Sequence, residues 1–179
     1  KVVKNIDKPS IVLCTHGSFL DFVYAGLYLR KIKPYFIAAR LYFYSKTLGM
    51  LMRKVGCFPK SMFETDIENA KNCFRVIQMG ETLTMMPEAR LSTVGKFEDV
   101  QSGTVKLIKK LGVPIYVLKL NGSYFAKPKW ADKLRKGSKI DIEFFKLFEA
   151  DEVKSLDENI LHEKIESALY YDDFKWLEN

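Results

Sequence analysis

Two side chains five positions apart, His16 and Asp21, carry the clearest chemical signal in this 179-residue chain. A carboxylate that holds one imidazole nitrogen fixes the tautomer and steadies the ring when it becomes positive. The second nitrogen is then free to take a proton. The pair lies in Thr15-His16-Gly17-Ser18-Phe19-Leu20-Asp21-Phe22, and the chain must turn between the two groups if they are to meet. Just upstream, Ile11-Val12-Leu13-Cys14 is a short, branched, apolar run that reads as a buried strand, closed by the Gly17-Ser18 turn. Leu20, Val23, Tyr24, Leu27 and Tyr28 then recur at helical spacing, which predicts a helix from near Ser18. His16 is therefore expected at the strand end and Asp21 in the first helical turn. The plainer alternative is a satisfied turn histidine and an acid favoured by the helix dipole.

Composition bounds what such a pair can serve. A hydrophobic content of 47% and an aromatic content of 13% argue for one folded domain, residues 1–179, with a sizeable core. The longest apolar candidate for a membrane span, Phe19 to Leu29, is short and carries Asp21, and no secretory signal is visible. The chain opens on Lys1 in place of methionine, so upstream residues are expected to be absent from it, which leaves open a membrane anchor among them. Cys14, Cys57 and Cys73 are odd in number and lack metal-ligand spacing, so they read as core residues in a reducing compartment. Two histidines, His16 and His162, exclude a histidine-rich metal site.

Charge is unevenly spread along the chain. Residues 1–60 hold eleven lysines and arginines against Asp7 and Asp21, whereas residues 148–179 hold three basic and ten acidic residues. The basic half carries the candidate site, which predicts anionic partners: phosphate groups, an acidic lipid surface or an acidic carrier protein. Solvated lysines explain part of the excess, and no nucleic-acid motif accompanies it.

Helical and strand-like segments alternate, which favours an α/β domain with a largely parallel sheet. Further strands are expected at Tyr35-Phe36-Ile37-Ala38, Gly56-Cys57-Phe58, Thr82 to Met86, Val113 to Leu120, and Lys139 to Phe148, where Ile140, Ile142 and Phe144 share one face. Helices are expected around Leu48, Leu51, Met52 and Val55, from a Thr65/Glu68 capping box to Gly80, from Ser102 to Leu111 with Gly112 as terminator, and from a Ser155/Glu158 capping box. The loop from Glu88 to Gln101 is long and polar, and parallel strands present their carboxyl ends together, so later strand ends should join His16.

Strand, His-Gly-Ser-x-x-Asp, helix resembles the first motif of the glycerolipid acyltransferase family, typified by lysophosphatidic acid acyltransferases, and Ser18 matches the serine common in that motif. Three more motifs follow in the family's order. Gly56-Cys57-Phe58-Pro59-Lys60 resembles the second, with Lys60 where the family usually carries Arg. A lysine keeps the charge but loses the bidentate fork that matches phosphate. Met86-Pro87-Glu88-Ala89-Arg90-Leu91-Ser92 resembles the Phe-Pro-Glu-Gly motif, with Met86 for phenylalanine and Ala89 for a glycine whose role could be a positive φ. Val113-Pro114-Ile115-Tyr116 resembles the fourth, and by itself also reads as a plain buried strand.

The resemblance spans about Ser10 to Asn121. It implies a single layered αβα domain with a mostly parallel central sheet, moving a fatty acyl chain from an acyl thioester to a lipid hydroxyl. Coenzyme A and acyl carrier protein are both anionic donors, and 1-acylglycerol 3-phosphate or a related lysophospholipid is the acceptor implied. His16 would be the general base oriented by Asp21. Ser18 would join the substrate contacts, Lys60 and Arg90 would hold the acceptor phosphate, and Glu88 would bind an acceptor hydroxyl or anchor Arg90. Arg40, Lys46 and Lys96 lie near these stations as further phosphate or carrier contacts. No metal or organic cofactor is required. Two other classes stay open: a thiol hydrolase using Cys14, which would share a strand face with His16, and a non-catalytic lipid-binding module, which the departures at Lys60 and Ala89 favour. The protein is expected at the cytoplasmic side of the membrane as a peripheral protein. Leu41-Tyr42-Phe43-Tyr44 and Leu48, beside Lys46, Arg53 and Lys54, would touch anionic lipid, with core packing the alternative for the aromatics.

Overall fold

The computed structural model describes residues 3, 5–61 and 66–178. Six strands form one sheet: β1 (Ser10–Cys14), β2 (Tyr35–Ala39), β3 (Cys57–Lys60), β4 (Thr82–Met85), β5 (Ile115–Asn121) and β6 (Asp141–Phe148). Their order is β3-β2-β4-β1-β5-β6. The first five are mutually parallel and β6 runs antiparallel to β5. This is the expected αβα layering around a mostly parallel sheet.

The period-two alternation of buried strands decides which side each residue serves. Ile11, Leu13, Leu83, Ile115 and Val117 face one way, into a core with α3 (Ile67–Gln78), α4 (Ser102–Leu111), α6 (Ala150–Ser155) and α7 (Glu158–Leu169). Val12, Cys14, Phe36, Cys57 and Leu118 face the other, against α1 (Asp21–Tyr28) and α2 (Lys46–Lys54). β1 is wholly buried on both faces, as its unbroken apolar sequence requires.

β1 is followed by α1 on one face and a crossover toward β2, past β4; β4 is followed by α4 on the opposite face and a crossover toward β5, past β1. The two neighbours therefore send their chains in opposite directions. Such a switch point opens a crevice at the carboxyl ends of the strands. The residues that leave β1 and β4 there begin with Thr15-His16 and Met86-Pro87-Glu88.

Several helix boundaries differ from the sequence reading. Thr65 lies outside the described residues; Asp66 caps α3, its side chain accepting from the Asn69 amide. Ser155 ends the short α6, and Asp157 caps α7 instead, because Leu156 holds an extended conformation between them. The turn at Gly122 leads into α5 (Ser123–Ala126), and a last short helix, α8 (Asp173–Trp176), was not expected. Residues 40–43, read only as an aromatic stretch, form a 3-10 turn.

Candidate active site

The turn after β1 brings the two expected partners together. His16 Nδ1 lies 3.4 Å from Asp21 Oδ2, with the ring partly exposed and the carboxyl fully buried. The Ser18 amide donates to the same oxygen at 2.7 Å, so Asp21 both closes the turn and faces the imidazole. Burial raises the Asp21 pKa, and the His16 ring, the Ser18 amide and the Ser123 hydroxyl pull it back. With Nδ1 directed to the carboxylate, Nε2 is the nitrogen left for proton transfer.

Glu88 requires a correction. The sequence reading made it an acceptor contact or an anchor for Arg90, but its side chain has no exposure and both oxygens are taken by backbone amides. The His16 amide donates to Oε1 at 2.9 Å and the Glu98 amide to Oε2 at 3.0 Å. Burial pushes its pKa up to about 8, the two amides opposing and the Asp21 and Glu98 charges adding to the rise. Arg90 pairs instead with Glu98, its Nε 2.6 Å from the carboxylate, and remains largely exposed. The Ser92 amide donates to the His16 carbonyl at 3.0 Å. The loop after β4 therefore clamps the His16 peptide groups on both sides, which fixes the ring's origin to the sheet.

Ser18 is corrected in the same sense. It is wholly buried, and its hydroxyl donates to the Lys127 carbonyl at 3.1 Å while accepting from the Leu20 amide at 3.3 Å. A hydroxyl so engaged supports the turn and is not presented to a substrate. Ala89 keeps the conformation its motif's glycine would supply, with φ at +55°, in a turn where its amide donates to the Met86 carbonyl at 3.1 Å.

Lys60 ends β3 on the same sheet edge, level with the residue after β1 but three strands away, roughly 14 Å at ordinary strand spacing. It is half-buried, and that burial lowers its pKa against the opposing charges of Cys73 and Asp66. Arg40, which follows the partner position in β2, reaches Asp66 and Glu68 at 3.5 Å each. The turn therefore holds His16 and Asp21 together, with Arg90 on the adjoining loop and Lys60 at the far end of the edge.

The sequence reading missed Glu98, Ser123 and the segment from Tyr171 to Trp176. Asp173 is buried and its two oxygens accept from the Gly122 amide at 2.7 Å and the Tyr124 amide at 3.0 Å. Lys96 pairs with Asp172 at 3.1 Å, and the Phe97 amide donates to the Tyr171 carbonyl at 2.9 Å. No local signal pointed to this docking; Asp172 and Asp173 read as two more charges in the acidic end of the chain.

The αβα layering and a His–Asp turn at the switch point define the class of the domain. A family model described as Acyltransferase matches residues 2–120, well over half of the chain, and the chain belongs to that family. A search of curated proteins finds no significant match. Among solved structures, the 1-acyl-sn-glycerophosphate (LPA) acyltransferase PlsC from Thermotoga maritima shares the fold, with a TM-score of 0.75 and 18% identity. That similarity covers 98% of this chain and 68% of the other. The protein is an acyltransferase.

Proposed function

We propose that the protein transfers a fatty acyl chain from an acyl thioester to the free hydroxyl of 1-acylglycerol 3-phosphate or a related lysophospholipid, with His16 as general base. The observation that carries this reading is the His16–Asp21 pair at the carboxyl end of β1, beside β4, in a chain of the acyltransferase family. Nε2 of His16 takes the acceptor's hydroxyl proton as that oxygen attacks the thioester carbonyl. The carbon–sulfur bond then breaks, and the leaving thiolate receives the proton from the imidazolium. Asp21 orients the ring and shares its positive charge. A base so placed contributes roughly 10²- to 10⁴-fold, and holding the lipid hydroxyl in preference to water matters as much. Lys60 and Arg90 are assigned to the acceptor's phosphate, and coenzyme A or acyl carrier protein to the donor thiol. The steps require no metal or organic cofactor.

Two features support direct transfer over the alternatives. Cys14 is wholly buried under α1, and its thiol is pushed well above its ordinary pKa by burial and then by Asp21 and Glu88. A thiol in that setting makes a poor nucleophile. Ala89 holds the positive φ of the motif, so the departure that favoured a non-catalytic module does not disturb the loop's path.

We place the protein at the cytoplasmic face of an anionic membrane, as a peripheral protein. Leu41, Tyr44, Leu48 and Leu51 are exposed near Lys46, Arg53 and Lys54, and Phe22, Val23 and Leu27 are exposed on α1.

The test is a panel of lysolipid acceptors offered with acyl-coenzyme A and with acyl carrier protein thioester, scored for product lipid and free fatty acid. Wild type should form product lipid with at least one acceptor. His16→Ala should lose at least 100-fold while keeping its melting temperature. Free fatty acid as the main product would identify a hydrolase, and product formation by folded His16→Ala would remove the base.

A further inference from the structure

We propose that Ser123 is the second support of Asp21, donating its hydroxyl hydrogen to the carboxyl oxygen that the turn leaves unpaired, and that the strap from Tyr171 to Trp176 holds Ser123 in that place. The proposal rests on the reading of His16 and Asp21 as a catalytic dyad.

Asp21 uses one oxygen for both the Ser18 amide and the His16 ring; Oδ1 is buried and has no partner among the described residues. Ser123 is also buried, and its hydroxyl has no partner either. Ser123 lies behind the turn that Asp21 closes through the Ser18 amide. A methyl group placed on Gly17, between His16 and Ser18, would stand 3.1 Å from Ser123 Oγ. The Ser123 hydroxyl also favours the ionised form of Asp21. An unpaired carboxylate oxygen in a dry site is costly, and the neighbouring serine hydroxyl is a donor that can relieve it.

Ser123 does not reach this place by its own helix, which is only four residues long. Asp173 binds the amides of Gly122 and Tyr124, the two residues that flank it. Gly122 adopts φ +81°, and a Cβ there would stand 2.5 Å from the Trp176 ring and 2.7 Å from the Lys139 carbonyl, so the turn and the strap fit only with glycine. The strap also donates the Asp173 amide to the Gly95 carbonyl, at 2.9 Å, and so engages the loop that clamps His16. One element thus fixes both Ser123 and the loop. It lies in the part of the chain beyond the family-matched residues 2–120.

The charged and titratable groups facing the dyad are Cys14 on β1, Tyr24 on α1, Glu88 on the loop after β4, with Glu98 behind it, and Tyr171 and Asp173 on the strap. Among these, Glu88 and Asp173 are further buried carboxyls. Ionising Asp21 beside them needs hydrogen-bond donors, and Ser123 supplies one. Its loss disfavours the state with ionised Asp21 and neutral His16, which is the one competent to take a proton.

Ser123→Ala should therefore move the acid limb of kcat/KM upward by about 0.5 to 1 pH unit. The variant's kcat should fall about tenfold, with the Michaelis constants of donor and acceptor within twofold of wild type. Asp173→Asn should do the same to a smaller extent. A readout without turnover comes from the His16 ring resonances: the chain has two histidines, His16→Ala assigns them, and the His16 titration should be displaced in both variants. Should Ser123→Ala fail to fold, Ser123→Cys keeps the volume with a weak donor and carries the same expectation. An acid limb and a His16 titration superposable on wild type, in a folded variant, would overturn the proposal even if the melting temperature had dropped. If wild type transfers no acyl chain, or His16→Ala still does, it is the dyad reading that fails. The ring titration tells the two failures apart.

Discussion

At the scale of single residues, the candidate site is built from carboxylates that satisfy backbone amides. Asp21 takes the Ser18 amide, Glu88 those of His16 and Glu98, and Asp173 those of Gly122 and Tyr124. An amide buried at the end of a strand must find an acceptor, and a carboxyl group offers two oxygens that can accept. Within the site, Ala89 is under strain, since a β-carbon at φ +55° costs about 1 kcal/mol or more relative to glycine. Ala89→Gly should accordingly gain about 0.5 to 1 kcal/mol in urea unfolding, a little of the relief being offset by the looser unfolded chain. Acyl transfer should be retained. A loss of stability would mean that the alanine methyl packs better than its backbone suffers.

At the scale of elements, α1 and α2 bury one face of the sheet but leave apolar side chains of their own exposed. The stripe Leu20, Val23, Tyr24, Leu27 predicted the helix correctly but not its buried side: Ala25 and Leu29 pack inward, while Phe22, Val23 and Leu27 are exposed. The aromatic stretch before α2 divides similarly. Tyr42 and Phe43 pack partly against the core, with Arg53 stacked 5.2 Å over the Phe43 ring, whereas Tyr44 is 78% exposed. If this face meets the membrane, sedimentation with vesicles containing anionic lipid should pull the protein down at low salt and release it at high salt. Lys54→Ala should weaken that partitioning about fivefold, about 1 kcal/mol for one basic residue near the surface. Equal binding to neutral vesicles, indifferent to salt, would sink the membrane assignment.

For the whole molecule, the buried acids set how stability responds to pH. The folded pKa of Glu88 is about 8, above its ordinary value near 4.5. Below pH 4.5 both states hold the proton and the folded state keeps its full advantage. Between 4.5 and 8 only the unfolded chain releases it, so stability falls as pH rises. Asp66 works in the opposite sense: against its burial, the Ser61 and Asn69 amides and Arg40 hold its pKa down, and its contribution is lost as pH falls in the acid range. Urea unfolding at pH 6 and pH 8 should show wild type less stable at pH 8. Glu88→Gln should reduce that difference by up to about 1.4 kcal/mol per pH unit. The same slope in both proteins would show that Glu88 ionises freely.

What the sequence determined was local. The apolar run, the Gly-Ser turn and the helix start were enough to place His16 opposite Asp21, because the groups lie five residues apart and backbone geometry alone closes that distance. Strand alternation likewise assigned Ile140, Ile142 and Phe144 to one face, where they pack against the same core as Val12 and Cys14. The tertiary structure decided the rest. Glu88 meets the His16 amide across 72 residues, and Asp173 meets Gly122 across 51. Periodicity records only which side of its own element a residue faces. It carries no register between elements, so a carboxylate that reaches a distant buried amide looks, in sequence, like any surface acid or any motif residue aimed at substrate. Strand order joined those partners, because it set the carboxyl ends of β1, β4 and β5 side by side and left their amides to be paired by whatever acids the fold delivered there.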